Sequence, residues 1–153
     1  QLPYLCFFQM IEIPTECNET LFINLLDAHY AVSSNSIDDW RTYKVCYGSD
    51  QVEHPLIWLH PFNGRKSIYF DFRFASKIID YSLSNGNLKV VDLNNVISEL
   101  ENLFSKANYY NHKWDEGDIL IVDNYAAAHR ANIGENDVSS RVLFRVATKG
   151  IYF

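Results

Sequence analysis

Three side chains near the end of the chain have the types and spacing to do chemistry. His129 follows three alanines in DNYAAAHRA, and Arg141 and Arg145 lie four residues apart in RVLFR. An imidazole can ligate a metal or move a proton near neutral pH, and the planar fork of a guanidinium suits capture of a carboxylate. A lone histidine beside a strand is more often structural, so His129 gains a role only if partners converge on it. In a strand, Arg141, Leu143 and Arg145 share one face while Val142, Phe144 and Val146 share the other. On pattern alone this is a half-buried strand with its arginines in water. The alternative turns the arginines into a barrel interior, where two guanidinium groups are costly unless an anion or carboxylates pair them. The polar loop ANIGENDVSS between His129 and Arg141 can return the chain as a hairpin and bring both to the same end of a sheet.

Other candidates carry less. His54 and His60 frame one expected strand, where a separation of six puts them on one face, but no carboxylate sits between them at ligand spacing. They read as structural. Asp115, Glu116 and Asp118 read as a solvated turn beside a Trp114 anchor. No Gly-rich phosphate loop, G-x-S-x-G elbow or recognisable Cys-His pairing occurs in the sequence.

The elements that must position these residues are mostly strands. Tyr4 to Ile13 is aromatic and β-branched enough for a buried strand, and the stretch from Pro14 to Glu19 reads as a turn. Leu21, Leu25, Ala28 and Val32 have the spacing of a helix face, so Thr20 to Val32 opens a helix or just precedes one, with Thr20 as a possible N-cap. Asp38-Asp39-Trp40 suits a short helix. His54 to His60 and Ser67 to Phe72 are expected as two strands joined at Asn63-Gly64, a pair that supplies positive φ cheaply. From the N-cap candidate Asp92, a stripe of Leu93, Val96, Ile97, Leu100, Leu103 and Phe104 makes the best helix in the chain. A turn at Trp114 to Asp118, a strand at Ile119 to Val122 and a final strand from Arg141 follow. Strands with one long amphipathic helix point to a mainly β (α+β) class, a jelly roll with helices packed outside.

The 153 residues, 48% hydrophobic and 15% aromatic, suffice for one domain, 1–153, with no linker or repeat inside it. A net charge of -6 argues against a surface for nucleic acid or an anionic membrane, yet leaves room for a small anion held by local arginines. Cys6, Cys17 and Cys46 are odd in number and show no C-x-x-C, which suggests neither a disulfide framework nor a zinc knuckle and fits a reducing, cytoplasmic compartment. No apolar run approaches a membrane span.

Taken together, HPLIWLHPFNGRKSIYF, HKWDEGDILIVDNYAAAHRA and RVLFRV resemble the C-terminal half of the taurine dioxygenase (TauD/TfdA-like) family of iron(II)- and 2-oxoglutarate-dependent oxygenases. ECNETLFINLLDAHYA is similar to the family stretch in which a threonine precedes an aromatic-rich helix. The resemblance implies a double-stranded β-helix. It makes His129 the distal histidine of a 2-His-1-carboxylate iron site, a geometry that leaves open metal positions for cosubstrate and oxygen. It gives Arg141, assisted by the Thr20 hydroxyl, the distal carboxylate of 2-oxoglutarate, and gives Arg145 either the cosubstrate or an acidic group of the substrate. Trp114 and the Gly117-Asp118 turn become structural, setting the entry of the strand that leads to Asp123, Asn124 and His129. Tyr4, Phe8 and Phe72 are candidates for a dry aromatic pocket.

The implied reaction is hydroxylation or a related C–H oxidation of a small organic molecule, with O2 consumed and succinate and CO2 released. The departure from the family lies in the metal ligands: no H-x-D or H-x-E occurs in the chain. The start without Met, inside a strand-like run, leads us to expect the C-terminal part of a longer polypeptide, with the His-x-Asp partners before Gln1. The other reading is an iron-free jelly-roll module that binds a small acid or a protein partner. Substrate identity, reaction outcome and oligomeric state stay open.

Overall fold

The computed structural model describes residues 3–13, 18–48, 52–83, 88–132 and 141–149. The turn expected from Pro14, the residue Cys17 and most of the polar loop before Arg141 lie outside the described residues. In chain order the elements are β1 (Leu5–Glu12), β2 (Glu19–Asn24), α1 (Leu25–Tyr30), α2 (Ser34–Trp40), β3 (Tyr43–Tyr47), β4 (Val52–Pro55), β5 (Ile57–Leu59) and β6 (Lys66–Ile68). After them come β7 (Ala75–Asp80), β8 (Lys89–Val91), α3 (Leu93–Lys106), β9 (Tyr109–Lys113), β10 (Ile119–Asp123), β11 (Ala127–Asn132) and β12 (Val142–Ala147). They divide into two compact units, one drawn from Gln1–Asn24 and Asn108–Phe153, the other from Leu25–Ala107.

The first unit is two antiparallel three-stranded sheets, ordered β10-β1-β12 and β11-β2-β9. β1 alternates as a strand should, with Cys6, Phe8 and Met10 turned inward. They form one core with Val122 of β10, Phe22 of β2 and the fully buried Trp114, so both sheets contribute to a single interior. The turn before β10 is fastened to β1 by Gly117 N–H donating to the Met10 carbonyl and by Met10 N–H donating to the Asp118 carbonyl. Gly117 has φ +88°, which only glycine adopts at no steric cost.

β2 corrects the sequence reading. Thr20 is not an N-cap but a strand residue, paired with Ala131 of β11 and His112 of β9. Apolar spacing in a short run fits both periods. Here Thr, Phe and Ile favour the pleated surface, ladders on both edges satisfy the backbone, and the helix begins only at Leu25.

The second unit is a four-stranded sheet, β4-β3-β7-β8, with the hairpin β5-β6 and helix α3. Its core gathers Val45, Ile78, Leu56 and Ile68 with Trp40, Val96 and Leu100. Asp92 caps α3 as expected, its carboxylate accepting from Asn94 N–H at 3.0 Å. Gly64, at φ +67°, makes the expected turn between β5 and β6. His54 and His60, however, do not share a strand. The chain turns at the buried Leu56, so His54 pairs with β3 while His60 stands past β5, where its Nδ1 accepts from the N–H groups of Phe62 and Asn63.

Two predictions follow from this packing. The Asp80 carboxyl lies below the usual carboxylate range, held there first by the Thr42 hydroxyl at 2.7 Å, then by the N–H and hydroxyl of Ser82. A depressed folded-state pKa contributes stability above the unfolded value of about 3.9 and loses it as pH falls through the folded value. Asp80→Asn should therefore cost about 1 kcal/mol in urea unfolding at pH 7, with the gap to the parent narrowing as pH falls below about 4; a gap independent of pH would refute this. The thiols of Cys6 and Cys46 are free and buried. Peptide mapping after brief alkylation of the native chain should leave both unlabelled, and both should label in denaturant.

Candidate active site

The site is built on the inner faces of the first unit. Arg141 immediately precedes β12, and β12 runs antiparallel to β1 with Leu143 opposite Met10 and Arg145 opposite Phe8. Phe8, Met10 and Leu143 belong to the core, so the face bearing the arginines points inward. The apolar face points out: Phe144 is 59% exposed, Val146 47% and Val142 41%. The expectation of solvated arginines fails at Arg141, and the costlier alternative holds there.

A cavity of about 280 Å³ opens against this face, lined by Phe8, Thr20, Phe22, Trp114, His129, Ala131, Arg141 and Leu143. Arg141 donates from Nη2 to Thr20 Oγ1 at 2.9 Å and from Nη1 to the Glu19 carbonyl at 3.4 Å. Among the described residues no carboxylate forms an ion pair with it. Burial pulls its pKa below the ordinary arginine value, yet a guanidinium starts so high that it stays charged at neutral pH. A half-buried cation held by neutral oxygens, facing a cavity with aromatic walls, has the chemistry to accept an anion.

The Thr20 oxygen takes a second hydrogen bond, from Trp114 Nε1–H at 2.9 Å. Trp114 is itself tied to the start of β2: its N–H donates to the Asn18 carbonyl at 3.0 Å, and Asn18 Nδ2 donates to the Trp114 carbonyl at 2.9 Å.

His129 lies in β11 opposite Phe22 of β2, its ring 5.0 Å from that of Phe8 and 5.8 Å from that of Phe22. The Asp-Asn turn before it is braced by Asp123 accepting from Tyr125 N–H and by Asn124 bonding to Tyr4 and Pro3 carbonyls. His129 and Arg141 therefore meet in one cavity despite the loop between them. Among the described residues no three His, Cys, Asp or Glu side chains cluster to hold a metal.

Arg145 is placed differently. It lies outside the cavity lining, donating from Nη2 to Cys6 Sγ at 3.2 Å with its guanidinium 5.9 Å from the Phe8 ring centre. Of the expected aromatic wall, Phe8 lines the cavity and Tyr4 does not; Tyr4 packs beside Tyr125. Phe72 belongs to the second unit, against Phe70 and Phe104. Sequence reasoning missed Phe22 and the indole N–H of Trp114. The period-two placement of Thr20 and Phe22 was the available signal, hidden by the helical spacing that overlaps it. The second unit has its own cavity of about 330 Å³, lined by Tyr47, His54, Tyr69 and Asp71 among others. There the carboxylate is already taken by Arg73, from Nε at 3.2 Å and Nη2 at 3.1 Å.

Comparison with known proteins gives the family of the chain. The model of the family described as taurine catabolism dioxygenase TauD, TfdA family matches residues 2–147. The chain is 30% identical to a 3-((Z)-2-isocyanoethenyl)-1H-indole synthase of Fischerella ambigua, over 86% of this chain and 53% of that protein. It is 26% identical to an alpha-ketoglutarate-dependent sulfonate dioxygenase of Saccharomyces cerevisiae, over 95% of this chain and 39% of the relative. The fold matches a taurine dioxygenase from Burkholderia xenovorans with TM-score 0.73 at 24% identity, covering 95% of this chain and 53% of the other. AAD-2 in complex with Mn(II) and N-oxalylglycine matches with TM-score 0.77 at 18% identity, over 95% and 63%. The chain thus spans about half the length of such relatives. With a family match that runs almost end to end and the jelly-roll fold of its structural neighbours, the chain belongs to the TauD/TfdA family.

Proposed function

We propose that the polypeptide carrying this chain is an Fe(II)- and 2-oxoglutarate-dependent oxygenase that oxidises a C–H bond of a small organic molecule. The observation that carries the reading is Arg141, half-buried and without a carboxylate partner among the described residues, bonded to Thr20 in the cavity that His129 also lines. When bound, iron(II) with 2-oxoglutarate and O2 supplies the oxidising equivalents, and the cosubstrate leaves as succinate and CO2.

The chain's own residues divide the remaining work. Arg141 and Thr20 bind the distal carboxylate of the cosubstrate, and His129 is this chain's metal ligand, its partners lying outside the described residues. Phe8, Phe22 and Leu143 exclude water from the cavity, which strengthens every charged contact inside it. Arg145, further along the same face, takes an anionic group of the substrate or assists the cosubstrate. The sulfonate and 2,4-dichlorophenoxyacetate named for two relatives support a small acid as substrate. The family match crosses both compact units, which supports reading 1–153 as part of one domain. No described helix is long and apolar enough to cross a membrane, and the free thiols of Cys6 and Cys46 support a cytoplasmic setting.

The test is anaerobic calorimetry on the full-length polypeptide. It should take up one iron(II) per chain and bind 2-oxoglutarate, and His129→Ala should abolish the metal uptake. Arg141→Ala should weaken 2-oxoglutarate binding about a hundredfold while leaving the circular dichroism spectrum unchanged. Unchanged affinity would remove Arg141 from that role, and a parent that takes up no metal but still binds small acids would establish the iron-free module instead.

A further inference from the structure

We propose that Trp114 is a positioning residue: its indole N–H fixes the direction of the Thr20 hydroxyl proton and so prepares the anion site before the ligand arrives. A hydroxyl oxygen offers two acceptor lone pairs and one donor. At Thr20 both lone pairs are engaged, one by Trp114 Nε1–H at 2.9 Å and one by Arg141 Nη2–H at 2.9 Å. Neither donor can accept the threonine proton in return, since an indole N–H and a guanidinium carry no acceptor. The O–H is left to point away from both, and Thr20 is a wall of the cavity. Without Trp114 the hydroxyl could rotate and offer a lone pair to an incoming carboxylate, a repulsive contact.

Trp114 is suited to the task because it is held on several sides. It is fully buried, its backbone is bonded both ways to Asn18, and the His112 ring stands edge-on at 4.4 Å. β2 carries Thr20 between β9 and β11, so the acceptor is fixed as firmly as the donor. Holding the donor in place beforehand removes the ordering cost that binding would otherwise bear.

This inference rests on the proposed function, and a double-mutant cycle on the full-length polypeptide separates the two. Affinity is measured by calorimetry for 2-oxoglutarate and for pyruvate, a 2-oxo acid with no distal carboxylate. Thr20→Val and Trp114→Phe should each weaken 2-oxoglutarate about tenfold, as loss of a hydrogen bond to a charged group does. In the Thr20→Val background, Trp114→Phe should add less than about twofold, because the hydroxyl it directs is gone. Thr20→Ser should restore affinity, and neither metal uptake nor pyruvate binding should change in any variant. Should Trp114→Phe fail to fold, 3-benzothienylalanine at this position removes the N–H while keeping the ring shape, with the same expectation. Equal losses from the tryptophan change in both backgrounds, or no loss in either, would overturn the positioning role. A parent that does not bind 2-oxoglutarate, or an Arg141→Ala variant that binds it normally, would overturn the proposed function itself and this inference with it.

Discussion

A positive charge taken partly out of water, with no negative one to meet it among the described residues, is the constraint around which the first unit is organised. Arg141 is held by a hydroxyl and a carbonyl, both neutral, so its charge is solvated but not cancelled. A carboxylate in the same place would have closed the site. Neutral oxygens leave a positive potential inside the cavity, whose walls include the apolar side chains of Phe8, Phe22 and Leu143. The surrounding elements can be understood by what they hold. β2 presents both acceptors, Glu19 and Thr20; β9 and β11 pin β2 from either edge; and Trp114 locks onto the residue before β2. Loosening any of them would let more water reach the guanidinium and lower its attraction for an anion.

Much of this was legible locally and little of it globally. The alternation at residues 141–146 shows that Arg141 and Arg145 share a face, because side-chain direction in a strand repeats every second residue. It does not show which face meets water, since a period carries no sign. That sign came from partners far away in sequence: Arg141 meets Thr20 across 121 residues, and Arg145 meets Cys6 across 139. α3 and the Asn63-Gly64 turn were legible because their determinants are neighbours in the chain, a capping carboxylate and a left-handed glycine. β3, β7, β8 and β9 were not, because short strands exist through their pairings, and a pairing is invisible from one side.

Two of the segments misread from sequence fail for one shared reason. Thr20 to Val32 has helical apolar spacing, yet its first part is a strand because two neighbours already offered complete ladders. His54 to His60 alternates like one strand, yet it bends at Leu56, where the N–H donates to Tyr43 and the carbonyl accepts from Tyr69. Backbone hydrogen bonding decided both cases over side-chain pattern. A buried N–H or carbonyl must find a partner, and a suggestive spacing of apolar residues weighs less than that requirement.

The two arginines on one strand face illustrate how a fold can make one charge fixed and another adaptable. Arg141 is half-buried and donates one short hydrogen bond to Thr20, at 2.9 Å, and a longer one to the Glu19 carbonyl, at 3.4 Å, both on a strand paired along each edge. Arg145, two residues beyond Leu143, is exposed, and its contacts are a thiol sulfur and an aromatic face, both soft and weakly directional acceptors. Reorienting Arg145 costs little, whereas reorienting Arg141 breaks the bond to Thr20 that Trp114 shares. Under the proposed function this is the division the chemistry requires. The cosubstrate is the same in every turnover and rewards a fixed receptor, while substrates differ among relatives and reward a guanidinium that can follow them.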